Sequence, residues 1–130
     1  MKKERELEGI VTTAQKDQEI LGVLLFGSVA REQQTPRSDV DVCLVLLHQR
    51  YDALFLSRKK IEYMKQFDFD AHIFQQLPLY IRHRVLREGK VLFCRDEDLL
   101  YSVAFQTAQA FEDYKPIYRE YLKEVARAGP

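Results

Sequence analysis

Apolar positions in this chain recur with two different periods, and the alternation between them predicts most of its elements. From Lys3 to Asp17, Leu7, Ile10, Val11 and Ala14 return every three or four residues on a charged background, the spacing of an amphipathic helix. Val23 to Phe26 is an unbroken apolar run that ends at Gly27 and reads as a buried strand. Arg31 to Arg37 is polar and contains Pro36, so it is expected to be loop. Val40 to Leu47 is apolar on both faces after Asp41, which predicts a strand in the middle of a sheet. Tyr51 to Gln66 predicts a second amphipathic helix with Leu54, Ser57, Ile61 and Met64 on one side. Phe67 to Phe74 then alternates with a period of two: Phe67, Phe69, Ala71 and Ile73 share one face, and Asp68, Asp70, His72 and Phe74 share the other. Pro78 suits the first turn of a helix reaching Glu88, with Gly89 as its C-terminal cap. Val91 to Cys94 is a short strand, and Asp96 caps a long helix carrying Leu99, Leu100, Val103, Ala104, Ala108 and Phe111. Pro116 is expected to break or kink that helix before Ile117 to Val125 continues it.

The resulting order, α-β-β-α-β-α-β-α, predicts a small mixed β-sheet flanked by helices, of the α/β (α+β) class. One domain is expected over residues 1–130, with its core at about 10–95 and C-terminal helices at about 96–127. Composition sharpens this picture by exclusion. With 20 basic and 20 acidic side chains the formal net charge is zero, which lends no support to non-specific nucleic-acid or membrane binding. No run approaches the roughly 18 apolar residues of a membrane span. The first residues, Met1 to Glu6, lack the apolar stretch of a secretory signal, so a cytoplasmic location is expected. Cys43 and Cys94 lie in apolar strand-like runs and read as buried, reduced thiols, with no spacing that suggests zinc.

The chemistry concentrates where the first strand ends and the second begins. Asp39 and Asp41 stand two residues apart at a strand entry, so their side chains leave by the same face. Adjacent carboxylates repel unless a cation or proton lies between them, and an oxygen-only set suits magnesium. Gly27 lets a phosphate approach the backbone, Ser28 adds a hydroxyl, and Arg31 lies about one helical turn further on. If the alternating strand lies beside Val40–Leu47, Asp68 or Asp70 comes level with the pair. Three convergent carboxylates permit a second metal ion and in-line displacement at phosphorus.

Gly27-Ser28, ten residues, then Asp39-x-Asp41 resembles the signature of the nucleotidyltransferase superfamily related to DNA polymerase beta, and within it the minimal nucleotidyltransferases. Ala30, Arg31 and Ser38 also match the family pattern, while Glu32 replaces its second glycine. The likeness extends through Arg84 to Phe93, and counting back from there places the family's third carboxylate at Asp70. The resemblance implies the nucleotidyltransferase fold and magnesium-dependent transfer of a nucleoside monophosphate, AMP from ATP, with two magnesium ions at the site. Gly27, Ser28, Arg31 and Ser38 then hold the triphosphate, Asp39, Asp41 and Asp70 hold metal, and Asp70 helps to activate the acceptor. It further implies a helical toxin partner of the HEPN class, a tyrosine of which receives the adenylate.

Other residues carry weaker expectations. His72 shares a face with Asp70 and reads as a partly exposed strand histidine; His48 and His83 receive no role. Arg58-Lys59-Lys60 and the group Arg82, Arg84, Arg87 and Lys90 read as solvated helix faces. The aromatics of the C-terminal segment, Tyr101, Phe105, Phe111, Tyr114, Tyr118 and Tyr121, are expected to pack mostly on the sheet, with enough surplus for a homodimer or partner contact. The competing reading from another class is a non-catalytic, antitoxin-like module that neutralises a helical toxin by contact. Retention of three carboxylates favours the enzyme, because a pure binder has no physical need of them.

Overall fold

The apolar run that follows Asp41 becomes the most enclosed strand of the molecule. A computed structural model describes residues 2–27, 41–48 and 50–128. Its elements are α1 (Lys2–Lys16), β1 (Ile20–Phe26), β2 (Asp41–Leu46), α2 (Ala53–Gln66), β3 (Asp70–Ile73), α3 (Leu79–Glu88), β4 (Lys90–Cys94) and α4 (Glu97–Ala128), with one 3-10 turn at Phe74–Gln76. Among the described residues the four strands form one sheet in the order β3-β2-β1-β4. β1 runs antiparallel to β2 and to β4, and β2 runs parallel to β3. A parallel neighbour cannot be reached by a tight turn, so α2 serves as the crossover between β2 and β3.

Each face of the sheet carries its own core. Ile10 and Ala14 of α1 and Leu56 and Tyr63 of α2 pack with Val23, Leu25, Val42, Leu44 and Leu46. On the other face, Val85 of α3 and Val103 of α4 pack with Leu21, Leu24, Cys43, Val45 and Phe74. A register shift between Ile20 and Gly22 lets Ile20 and Val23, an odd number of residues apart, face the same cluster. Burying a side chain of this size contributes roughly 1.5–3 kcal/mol, so the two clusters account for the main stabilising term. Asp52 caps α2 through its carboxylate and the Phe55 N–H at 2.8 Å, and Asp96 caps α4 through the Leu99 N–H at 3.1 Å. Gly89, which caps α3, needs no left-handed backbone; a Cβ there would collide with the Val85 carbonyl oxygen that its own N–H bonds.

The second helix turns a different side inward from the one its pattern predicts. Leu54, Ile61 and Met64 are exposed, and the buried side is Leu56, Lys59 and Tyr63. Lys59, expected on the surface, is buried: its stem lies along the core and its ammonium ends 3.0 Å from Asp17 Oδ2 and 3.3 Å from Glu19 Oε1. The Tyr63 hydroxyl donates to the same Asp17 oxygen at 2.9 Å. From the other side, Arg95 donates to the carbonyls of Ala14, Gln15, Asp17 and Ile20, and thereby satisfies the C-terminal end of α1.

Three further expectations change. Pro116 does not break the C-terminal helix, which runs unbroken from Glu97 to Ala128. Phe111, Tyr114 and Tyr118 face α3, with His83 stacked on Phe111 at 4.0 Å and Tyr80 on Tyr118 at 5.9 Å. At 100° per residue Pro116 then lies on the opposite, exposed side, where solvent can take up the carbonyl it leaves unbonded. The C-terminal aromatics do not pack mostly on the sheet: Tyr101 and Phe105 are exposed because they lie on the side of α4 opposite the buried Val103 and Thr107, and Tyr121 because a 32-residue helix of about 48 Å outruns the short body beneath it. Finally, Cys43 is buried but Cys94 only partly so, since β4 is an edge strand.

Candidate active site

Three strand ends meet at one edge of the sheet. Phe26, the last residue of β1, pairs with Asp41, the first of β2, and Asp41 pairs in turn with Asp70, the first of β3. The backbone register alone therefore sets the two carboxylates side by side on the α3–α4 face, the same face as Cys43 and Phe74. His72 follows Asp70 on that face, level with Cys43, and its Nε2 lies 3.1 Å from Asp41 Oδ1. The Phe26 ring meets the imidazole edge-on, with centroids 5.3 Å apart. Asp41 and His72 are each 28% exposed along their side chains, while Asp70 is open to solvent.

Gly27 closes the arrangement. Its φ is +83°, and a Cβ at this position would stand 2.7 Å from Asp41 Oδ2. The left-handed turn and the close approach both exclude a side chain, so glycine here allows the backbone to lie against the carboxylate. Next to this turn a cleft of about 150 Å³ is lined by Phe26, Gly27, Ile81, Arg84, Val85 and Glu88, with Arg84 Nε 3.2 Å from Glu88 Oε2 at its rim.

One donor atom from each of Asp41, Asp70 and His72 falls within 4.8 Å of the others. Two neighbouring carboxylates with one imidazole nitrogen, half open to solvent, are a donor set that fits a small divalent cation and leaves positions for substrate oxygens. Of the residues expected at the site, the structure brings together Gly27, Asp41 and Asp70. Ser28, Arg31, Ser38 and Asp39 lie outside the described residues. Asp68 is exposed and precedes β3, so it takes no place in the β2–β3 register, which leaves Asp70 as the strand carboxylate beside Asp41. The contact of His72 with Asp41 is not legible in the sequence: the period-two pattern puts His72 on the right face but does not show that its ring turns toward β2.

A protein of Methanocaldococcus jannaschii named "Putative protein adenylyltransferase MJ1547" is 30% identical over 106 residues, covering 82% of this chain and 75% of its own length. Among solved structures, a toxin–antitoxin crystal structure with AMP-PNP superposes with a TM-score of 0.69 at 18% identity, covering 92% of this chain and 98% of that one. The complex of a tri-AMPylated HEPN toxin of Shewanella oneidensis with an MNT antitoxin gives a TM-score of 0.67 at 16% identity, covering 97% of this chain and 99% of the matched chain. At such identities the likeness carries the fold alone. The family described as Polymerase beta, Nucleotidyltransferase matches residues 8–98, a span that includes all four strands together with Gly27, Asp41 and Asp70. With that match and the archaeal relative in agreement, the chain belongs to the polymerase beta-like nucleotidyltransferase family.

Proposed function

We propose that this nucleotidyltransferase moves AMP from ATP to a tyrosine hydroxyl of a HEPN-type helical protein, with divalent metal held by Asp39, Asp41 and Asp70. The observation that carries the reading is the pairing of Asp41 with Asp70 beside the left-handed turn at Gly27. Support for the acceptor comes from outside the site: the archaeal relative is named a protein adenylyltransferase, and the fold is shared with a complex containing an AMPylated HEPN toxin.

Each residue has a role that its chemistry can fill. Gly27 admits the triphosphate close to the backbone, while Ser28, Ser38 and Arg31 donate hydrogen bonds to its oxygens. Magnesium, when bound by the carboxylates, supplies charge neutralisation on the triphosphate and favours ionisation of the acceptor hydroxyl. Asp70, the more open of the two strand-entry carboxylates, lies where an acceptor arriving from solvent can pass it a proton. The acceptor oxygen bonds to the α-phosphorus as the bridge to the β-phosphate breaks, and pyrophosphate leaves. Phe26, Ile81 and Val85 line the cleft beside Gly27 and help to exclude water from that end.

The test uses the purified chain, magnesium, the HEPN-type protein produced with it, and ATP labelled at either the α- or the γ-phosphate. Label from the α-phosphate should reach the partner, and label from the γ-phosphate should not. Asp41→Asn and Asp70→Asn should each reduce transfer by about a hundredfold or more. Equal labelling by the wild type and both variants, or transfer of the γ-label, would overturn the assignment.

A further inference from the structure

The donor set at the strand ends is not made of oxygen alone. We propose that His72 coordinates the bound ion directly through Nε2, so that the site prefers a first-row transition-metal dication over Mg²⁺. This inference rests on the metal-holding role proposed above for Asp41 and Asp70.

The first argument is distance. Donors about 2.1 Å from a six-coordinate ion stand about 3.0 Å apart when they are cis to one another. His72 Nε2 and Asp41 Oδ1 are 3.1 Å apart. Without an ion, a hydrogen bond along that line accounts for the contact. An ion that takes the proton's place needs little movement of either side chain, only the imidazole tautomer with its proton on Nδ1.

The second argument is that the imidazole is placed by the fold. β3 is in register with β2 from Asp70 to Ile73, so His72 cannot slide along the carboxylate pair. The Phe26 ring against its edge limits rotation away from Asp41. The third donor, on Asp70, falls within the same 4.8 Å set. Magnesium takes oxygen ligands and loses its water reluctantly, whereas first-row transition ions accept imidazole nitrogen readily. Replacing one oxygen donor by Nε2 therefore shifts selectivity toward the latter.

The competing role for His72 is to orient Asp41 by a hydrogen bond without touching the ion, and affinity alone does not separate the two. Pulsed electron paramagnetic resonance of the Mn²⁺-loaded protein does, because a directly bound imidazole gives a nitrogen modulation. The chain has three histidines; His48 lies beyond the far end of β2 and His83 is stacked on Phe111, so a histidine signal at the ion belongs to His72. The spectra are recorded on the full chain with Mn²⁺ alone and with Mn²⁺ plus a non-hydrolysable ATP analogue, using protein made with ordinary and with ¹⁵N histidine. We expect a modulation that changes with the isotope and is absent in His72→Gln. We also expect Mn²⁺ affinity to fall about tenfold in that variant while Mg²⁺ affinity, measured by competition, changes less than twofold. His72→Asp, which restores an all-oxygen set, should swing the preference back to Mg²⁺, and circular dichroism establishes that both variants fold. A bound Mn²⁺ with no histidine modulation, an equal loss of both affinities, or no Mn²⁺ binding at millimolar concentration overturns the proposal. Histidine coordination without AMP transfer leaves it standing and refutes the proposed activity instead; transfer without histidine coordination does the reverse.

Discussion

Removing the charge of the buried Lys59 side chain, by Lys59→Met, should cost more stability than removing any exposed charge of α2. Methionine keeps most of the stem that lies along the core, so the loss is confined to the ammonium: its bonds to Asp17 at 3.0 Å and Glu19 at 3.3 Å, its longer approach to Glu62 at 4.0 Å and its place over the Phe55 ring. Breaking one side of a buried ion pair typically costs 3–5 kcal/mol, because the remaining charge is left unpaired. Here the Asp17 side chain is 16% exposed, that of Glu19 is 45% exposed, and Asp17 keeps the Tyr63 hydroxyl and the Glu19 N–H. The expected cost is therefore below that range, about 2–3 kcal/mol at pH 7. For a chain of 130 residues this lowers Tm by about 7 to 11 °C.

The pH dependence gives the assay a second axis. Burial pulls the Asp17 carboxyl up, but the bonds from Lys59, the Glu19 N–H and Tyr63 outweigh it and hold the group below its ordinary 3.8. A depressed acid stabilises the fold above its unfolded value, and that contribution is lost as pH falls through the folded one. For Lys59, burial favours loss of the proton, but Asp17 and Glu19 outweigh it and raise the group above 10.5. Its contribution is complete below the unfolded value and is lost as pH rises through the folded one. The gap in urea-unfolding free energy between wild type and Lys59→Met should thus be widest from about pH 4 to pH 10 and narrow on either side. Adding Asp17→Asn to Lys59→Met should recover about half of the loss, since the orphaned charge is then gone. A gap below about 0.5 kcal/mol at pH 7, or no recovery in the double variant, would refute the role given to this cluster.

Other outcomes follow from single positions. Gly27→Ala forces a Cβ into a left-handed turn against Asp41, so it should cost about 1–2 kcal/mol and reduce AMP transfer by about a hundredfold; activity within twofold of wild type would count against this turn as part of the site. Ellman's reagent should titrate one thiol, Cys94, in the folded protein and two in guanidinium chloride, since Cys43 is fully enclosed and burial pushes its thiol well above the ordinary range. Rapid reaction of both thiols in the native protein would mean that β2 opens readily. Pro116→Ala should increase the helical signal at 222 nm without lowering Tm, because the proline lies on the exposed side of α4; a fall in Tm would show that its ring packs on something.

Much of the fold is legible in local pattern, and the departures have physical causes. The alternation through Phe69, Ala71 and Ile73 against Asp70 and His72 placed both faces of β3 correctly, because period two survives any tertiary context that keeps the strand half-buried. The stripe on α2 misled for the converse reason. Leu54, Ile61 and Met64 make an apolar stripe uninterrupted by charge, whereas the buried side carries Lys59 among Phe55, Leu56 and Tyr63; Lys59 and Tyr63 have polar groups to meet at Asp17, and that partner comes from another part of the chain. Asp41 and Asp70 could be paired only on the condition that their strands are neighbours, which no single stretch of sequence states. The Pro116 expectation rested on the general cost of proline in a helix, and that cost depends on which side of the helix the ring faces.

The strand order also bears on how the chain folds as it is made. β1 is among the first elements synthesised and β4 is the last strand, yet the two are neighbours in the sheet. Arg95 bonds the carbonyl of Ala14 across 81 positions of sequence, and closing a loop of that length costs about 4 kcal/mol in chain entropy beyond a constant. On the ribosome, β1 therefore keeps one unpaired edge, and the end of α1 keeps its free carbonyls, until the stretch from Lys90 to Arg95 has emerged. A polypeptide that stops within α3 carries the paired carboxylates of β2 and β3 but not the strand that closes the opposite side of the sheet, and an open β1 edge is a template for pairing with another nascent copy.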